Sequence, residues 1–394
     1  MFKYTLDNKR YHTLNYYLKN RFNSKVFKVS LNAGFTCPNI DGTKGYGGCI
    51  YCSKSGSGEH GGNPNKDLTT QFYEVKNVIE KKWPNSRYIA YFQARTNTYA
   101  PLEVLKSKYE EVLKIDNVIG LFIATRCDAI TEDTLDYLEE LNKRTYLTIE
   151  LGLQTIHEKT SKLINRGHTL EEFDSMVKKL RNRNIDVVVH IINGLPYETE
   201  DMMLDTVKHL NTLDIQGIKI HMLNIVKNTP LETLYNKEHF HILSKEEYID
   251  IVIKQLELLN PKIVIHRITS DPDVSTLVEP TWLIKKFCLL NDIDKEMVES
   301  LKQLEPFGEA NKMPVFAFKN LKIDSIRALS EGKHLKLTLK DNNYIINAIG
   351  FNIGYLANEY RIGDKIDVAG VLEINTFNGV DNLQINIKDI MKSI

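Results

Sequence analysis

Three of the chain's five cysteines fall within sixteen residues, in Cys37-Pro-Asn-Ile-Asp-Gly-Thr-Lys-Gly-Tyr-Gly-Gly-Cys49-Ile-Tyr-Cys52. Thiolates three residues apart, as at Cys49 and Cys52, can reach one soft metal centre. The glycine-rich run before them lets the loop fold back so that Cys37 can join. A CxxC alone reads equally well as a redox pair or as half of a zinc site. Three soft ligands fall one short of the four that close a structural zinc site. A [4Fe-4S] cluster on three cysteines, by contrast, keeps one iron open for a substrate or cofactor, and the third cysteine shifts the reading that way.

The loop must be presented by a strand, and Val26-Phe-Lys-Val-Ser-Leu31 runs straight into it. Tyr51 sits between the last two cysteines, and Ser55-Gly-Ser-Gly58 with Gly61-Gly62 follows as a segment able to pass close to a ligand. Beyond it, apolar strand-like runs at 87–93, 118–125, 146–151, 187–192 and 218–223 alternate with helix-like runs at 68–83, 102–113, 131–142, 170–183 and 200–213. A further run at 262–266 can add one more strand. Continuous apolar strands between amphipathic helices imply a parallel sheet buried on both faces, and right-handed crossovers curl it into a partial (βα)6 barrel. Chemistry in such barrels gathers at the carboxyl ends of the strands. There the sequence places Gln93 and Arg95, Arg126 and Asp128, Gln154, Asn193-Gly-Leu-Pro196 and Asn224. Tyr99 with Asn97, and His266-Arg267 with Asp271, belong to the same rim; Tyr99, His266 and Arg267 are candidates for substrate contact. Glu150 and His190 lie within strands, where a satisfied core polar group is the competing reading. For Cys127 and Cys288 a small buried hydrophobe is the favoured one.

A strand ending in a three-cysteine loop at the start of a βα repeat resembles the radical S-adenosylmethionine (SAM) enzymes. The eleven-residue gap between Cys37 and Cys49 is similar to that of the elongator-type branch. Arg10-Tyr-His-Thr-Leu-Asn15, Gly34-Phe-Thr-Cys-Pro-Asn39, Asp41-Gly-Thr-Lys44, Tyr91-Phe-Gln93, Thr96-Asn-Thr-Tyr99, Glu150-Leu-Gly-Leu-Gln154 and Ile164-Asn-Arg-Gly-His168 resemble the YhcC/YtqA group within it, from residue 1 to the 290s. Two positions depart from that group: Ile40 stands for an arginine and Cys127 for a proline. The resemblance implies a [4Fe-4S] cluster on Cys37, Cys49 and Cys52, with SAM on its open iron, one-electron reduction by a flavodoxin or ferredoxin, and a 5′-deoxyadenosyl radical that abstracts hydrogen. It further implies that Tyr51 packs by the adenine, that Gln154 and Arg166 hold the methionine carboxylate or ribose, and that His190 takes the place of a ribose-contacting acid. Gly194 would let the backbone come close. Transfer RNA is the implied substrate, at the C5 side chain of the wobble uridine, from carboxymethylaminomethyl to aminomethyl.

With 394 residues two domains are expected, divided as 1–295 and 296–394. The 51 basic and 51 acidic residues balance, so any nucleic-acid contact must come from local patches. No run approaches the ~18 apolar residues needed to span a bilayer, and clustered cysteines suit a reducing compartment, so a cytoplasmic protein without a membrane partner is expected. Past residue 280 a helical stretch at 283–304 leads into short strands at 321–329, 334–339, 344–351, 365–375 and 381–387 with turn residues between them, which suggests a small OB-like barrel. Pro306-Phe-Gly308, Asn311, Pro314-Val-Phe316, His334-Leu-Lys-Leu-Thr-Leu339, Ala348-Ile-Gly-Phe-Asn352 and 383–389 resemble the C-terminal OB domain of RecJ-type single-strand exonucleases. The nuclease's own catalytic motifs are absent. The resemblance implies a single-strand-binding surface using Lys336, Lys340, Phe351 and Phe377, unless the aromatics are barrel core. The junction falls where the YhcC/YtqA group would continue into its own tail. Two other readings stay open on the sequence: a nucleic-acid-binding adaptor with an inactive barrel, and zinc on the cysteines.

Overall fold

A computed structural model describes residues 9–56, 61–285, 289, 292–293, 315–341, 344–377 and 380–393. The chain divides into two compact units, His12–Leu289 on one side and Leu290–Ile394 with Met1–Tyr11 on the other.

In the first unit the apolar runs form the strands β1 (Val26–Leu31), β2 (Arg87–Phe92), β3 (Val118–Thr125), β4 (Tyr146–Gln154), β5 (Asp186–Asn193), β6 (Gly217–Met222), β7 (Ile225–Val226), β8 (Val264–Arg267) and β9 (Leu277–Glu279). Seven of them make one sheet in the order β1-β2-β3-β4-β5-β6-β8, every neighbouring pair parallel, while β7 and β9 form a short antiparallel pair. Residues such as Ile89, Phe92, Leu121, Ile123, Ile149, Leu151, Val187, Val189, Ile218 and Ile220 are fully buried in it. Each such side chain contributes about 1.5–3 kcal/mol on burial. The helices between strands begin where a side-chain oxygen can take up an orphan backbone N–H: Asp67, Thr131, Thr169, Thr199 and Ser244 each cap one, with full capping boxes at Thr169 and Ser244.

The expected half-barrel is present with a seventh strand, β8, added beside β6. The sheet stays open. The outer side of β8 is met by the N-terminal segment, where Ile265 N donates to His12 O at 2.7 Å and Thr13 bridges Ile265. Helix Leu14–Phe22 then packs against both edge strands, β8 and β1. A sheet edge covered in this way offers no free ladder for another chain.

The second unit is a closed five-stranded barrel of β10 (Phe316–Leu329), β11 (His334–Asp341), β12 (Tyr344–Gly350), β13 (Lys365–Phe377) and β14 (Val380–Lys392), in the order β10-β11-β12-β14-β13. The first strand begins at Phe316, five residues before the expected 321. Its bulges at 318/321 and 323/325 bend it enough to pair with β13 through its first part and β11 through its second. Leu335, Leu337 and Leu339 point into a core with Ile323, Ala348, Ile366, Val368 and Ile385, while Lys340 is exposed. Of the expected helix at 283–304 the described residues are a 3-10 turn over Thr281–Lys285 and the helical residues 289 and 292–293; Cys288, Pro306-Phe-Gly308, Asn311 and Pro314 lie outside the described residues.

Candidate active site

The strand ends of the first unit surround a cavity of about 460 Å³ lined by Cys37, Cys49, Cys52, Tyr51, Gln154, Arg166, His190 and Arg267, among others. Its mouth is the cysteine loop, which a second loop clamps. Ile50 N donates to Ile164 O at 3.1 Å, Asn165 Nδ2 donates to Gly48 O at 2.7 Å, and the fully buried Asn39 donates from Nδ2 to Asn165 O. The same Asn39 amide lies 3.7 Å from Cys49 Sγ as a donor. Gly167 has φ +83°, and a Cβ there would stand 2.8 Å from Asn39 Oδ1, so the clamp requires glycine at that point.

Arg126 ties the two loops to charge. It grips Asp128 with two bonds of 2.9 Å and donates from Nη1 to Arg166 O at 2.7 Å. Burial pushes the Cys49 thiol up, and the Arg126 guanidinium and the donors from Tyr51 and Asn39 pull it back toward thiolate. All three cysteines are free thiols. Among the described residues no three His, Cys, Asp or Glu side chains converge closely enough to hold one metal ion. A zinc ion with bonds of about 2.3 Å would need its sulfurs about 4 Å apart, whereas an iron cluster spreads its ligands wider. The donor set therefore fits the cluster better than zinc.

Other expected site residues divide clearly. Tyr51 packs against Ile164, Leu195 and Leu223 and faces the cavity. Gln154 sits at φ +63°, with its side-chain amide folded over Gly152. Arg166 lines the cavity but is only 1% exposed, and it spends Nε on His168 O and Nη1 on Leu153 O and Thr155 O. Its sequence position in a loop hid a structural task, which is to hold the end of β4. Three expected residues stand outside the cavity lining. Gly194 does not reach the cavity; it turns the chain at φ +81° against Leu243 and Met222, its N–H directed to Met203 Sδ. Tyr99 does not line it either, and braces the cysteine loop instead, with its hydroxyl 2.7 Å from Thr43 Oγ1. His266 is 4% exposed and stacks on Phe122 at 5.7 Å, outside the lining.

Below the mouth lies a charged floor that only Glu150, His190 and Arg267 announced. Lys219 Nζ donates to Glu150 Oε2 and, at 2.9 Å, to Tyr91 OH; His190 Nε2 is 3.0 Å from the same carboxylate. Burial alone would raise Glu150, but Lys219, His190 and Lys28 hold it well below the usual carboxylate range. Burial pushes Lys219 down to about 7 and His190 to about 4, each against the opposing pull of Glu150. Lys28, Lys219 and His221 were missed. The signal was available: Phe-Lys-Val and Ile-Lys-Ile put lone cations inside otherwise apolar strands.

Residues 43–210 match the Radical SAM superfamily, 215–299 the Radical_SAM C-terminal domain and 288–389 the RecJ OB domain. The uncharacterized protein YtqA of Bacillus subtilis is 51% identical over 296 residues, 75% of this chain and 92% of its own. The tRNA uridine(34) acetyltransferase of Methanocaldococcus infernus is 24% identical over 43% of this chain and 33% of its own. Among solved structures, the archaeal Methanocaldococcus infernus Elp3 with an N-terminal deletion superposes with a TM-score of 0.54 at 14% identity, covering 94% of this chain and 83% of that one; this likeness concerns fold alone. The chain belongs to the YhcC/YtqA group of radical SAM proteins, continued by a RecJ-type OB domain, and is a radical SAM enzyme whose cofactors are a [4Fe-4S] cluster and SAM.

Proposed function

We propose that this enzyme modifies transfer RNA at the C5 side chain of the wobble uridine, converting carboxymethylaminomethyl-uridine to aminomethyl-uridine. The observation that carries the reading is three free thiols at the mouth of a cavity whose floor is polar and charged. The relationship to a protein named for action on uridine 34 of tRNA supports the substrate. In this reading Cys37, Cys49 and Cys52 hold the cluster, and Tyr51, Gln154, Arg166 and His190 hold SAM. When bound, the pair supplies a carbon radical able to take hydrogen from an unactivated position. Arg126 favours the Cys49 thiolate, and the clamp through Asn39 and Asn165 keeps the mouth in shape. A flavodoxin or ferredoxin delivers the electron, in the cytoplasm.

Anaerobic protein reconstituted with iron and sulfide is incubated with dithionite, SAM and bulk tRNA from a strain lacking the homologous gene, and both nucleosides and 5′-deoxyadenosine are quantified. The expected result is 5′-deoxyadenosine and a changed wobble uridine, both abolished in Cys49→Ala. SAM cleavage without a changed nucleoside refutes the substrate; no cleavage by an iron-loaded protein refutes activity of this barrel.

The second unit favours a contribution of its own. Phe351 is 51% exposed rather than core, its ring 5.2 Å from His334, and Lys336 lies on the same face of β11 as the exposed Lys340. These groups suit single-stranded nucleic acid; Phe377's side chain lies outside the described residues. If binding of single strands survives Cys49→Ala while no SAM is ever cleaved, the adaptor reading replaces the enzymatic one.

A further inference from the structure

Lys28 is an anomaly in the floor of the cavity. It stands in the middle of β1, faces the cavity, and touches the rings of Tyr91 at 5.0 Å and Phe122 at 5.6 Å. Among the described residues no carboxylate makes a close ion pair or hydrogen bond with its ammonium, and Glu150 acts on it only through space. A lysine placed within a barrel without a counter-charge in direct contact costs free energy unless something else supplies one. Glu150 is the only carboxylate among the described strand residues lining the cavity; its Oε2 is already taken by Lys219 and His190, and its Oε1 is buried without a hydrogen bond. Lys219 has used two of its three N–H donors, and His221 Nε2, facing the same cavity, is buried without a partner. Arg267 adds a third cation, shared with Asp271 at 3.5 Å. Lys28, Lys219 and His221 thus converge with more donor capacity than the one oxygen left without a hydrogen bond on their shared carboxylate, Glu150 Oε1, can receive.

Depth separates this place from the cluster. Lys28 lies three residues before the end of β1, His190 three before the end of β5 and Lys219 three before the end of β6. At about 3.3 Å per residue that is about 10 Å below the strand ends that carry the cysteine loop. Chemistry narrows the occupant. Glu150 beside the site would repel a dianionic phosphate, and the arginine nearest in the lining, Arg267, is shared with Asp271. A monoanionic carboxylate matches the ammonium of Lys28, the one remaining N–H of Lys219 and one imidazole N–H.

We propose that Lys28, with Lys219 and His221, seats a carboxylate carried by the substrate, so that the group acted upon ends in an acid reaching into the barrel. The inference rests on the reading of this cavity as the substrate site of the radical SAM enzyme. Lys28 is then a specificity residue: it selects substrates by their acidic end.

The test uses the full-length reconstituted protein and two synthetic anticodon stem-loops, one with carboxymethylaminomethyl-uridine at the wobble position and one with its carboxamide. Dissociation constants for both loops and for SAM are measured with wild type and with Lys28→Met. Wild type is expected to bind the acid at least tenfold more tightly than the amide. Lys28→Met is expected to erase that preference while moving the SAM constant less than twofold. Equal binding of acid and amide by wild type overturns the inference, and this arm does not depend on how the variant folds. A tenfold loss of SAM affinity in Lys28→Met overturns it as well, because the anion is then SAM's own carboxylate. Cysteine-dependent 5′-deoxyadenosine in the same samples reports separately on the parent reading.

Discussion

The floor of the cavity shows how one residue's setting becomes a pH profile. Lys219 is pushed down to about 7 by burial, with Lys28 and Arg267 acting in the same direction and Glu150 opposing them. The other groups facing it are Tyr91, raised; Glu150, held well below its ordinary range; His190, near 4 and neutral; His221, lowered and neutral; and Lys28, itself lowered by burial. Lys219 is therefore a group whose charge changes close to neutrality. A bound carboxylate favours the ammonium, so above pH 7 binding must first return a proton. KM for an acidic substrate is expected to be flat below pH 7 and to rise by up to tenfold per unit above it. Lys219→Arg, which keeps its charge, should flatten the rise; a KM independent of pH from 6.5 to 9 in wild type would show that Lys219 does not meet the substrate. The same depression has a stability sign. Between about pH 7 and 10 the unfolded chain holds a proton that the folded one lacks, so Lys219's contribution destabilises the fold at neutral pH and its cost disappears as pH rises. These roles were only partly legible in sequence. Cysteine spacing announced the cluster ligands because the chemistry is local, but Lys28 and Lys219 are 191 positions apart and meet only after the sheet curls.

At the level of elements, the decisive pairing is between the cysteine loop and the 164–168 loop, neither of which has regular structure of its own. Their order comes from Asn39 and Asn165 bonding to backbone across the gap, while Arg126 holds Arg166 O and Arg166 anchors the second loop to the end of β4. Gly167→Ala tests it. Alanine at φ +83° is strained by about 1–3 kcal/mol, and its Cβ would press on Asn39 Oδ1 at 2.8 Å and Arg126 Nη2 at 3.2 Å. The neighbours must move, and what they hold is Cys49. The variant is expected to fold with a midpoint lowered by several degrees and, after reconstitution, to retain clearly less iron per chain than wild type, with the cluster's visible absorbance falling in proportion. Full iron content in a destabilised variant would show that the clamp serves folding alone. The repeating strands and helices were legible because burial on both faces imposes apolar runs and caps mark the helix starts. Gly194 and Tyr99 stand outside the lining because a strand-end position says which rim a residue belongs to, not which way it faces. At the end of β5 the chain turns away through Gly194 into the packing of Met203 and Leu243.

Over the whole chain, charge decides how nucleic acid could be held. With 51 basic and 51 acidic residues there is no general field to attract a polyanion, so binding must rest on a few placed groups. The second unit offers Lys336 and Lys340 on the outward side of β11, while Leu335, Leu337 and Leu339 fill the core on the other, and an exposed Phe351 just past β12. Each lysine that neutralises a phosphate of a single strand releases counterions and steepens the fall of affinity with salt by about 0.7 in the log–log slope. Replacing both lysines by glutamine should therefore lower the slope for a pyrimidine oligonucleotide by about 1.4, with a parallel loss of affinity at low salt. Phe351→Ala should behave differently. Stacking of a base on an aromatic ring is worth about 1–3 kcal/mol and carries no charge, so affinity should fall five- to 150-fold with the slope unchanged. Cys49→Ala, which acts on the other unit, should alter neither quantity. If the lysine pair and Phe351 move affinity without moving KM for tRNA modification, the barrel finds its substrate unaided. If KM follows oligonucleotide affinity through all three variants, the second unit delivers the RNA on which the first acts.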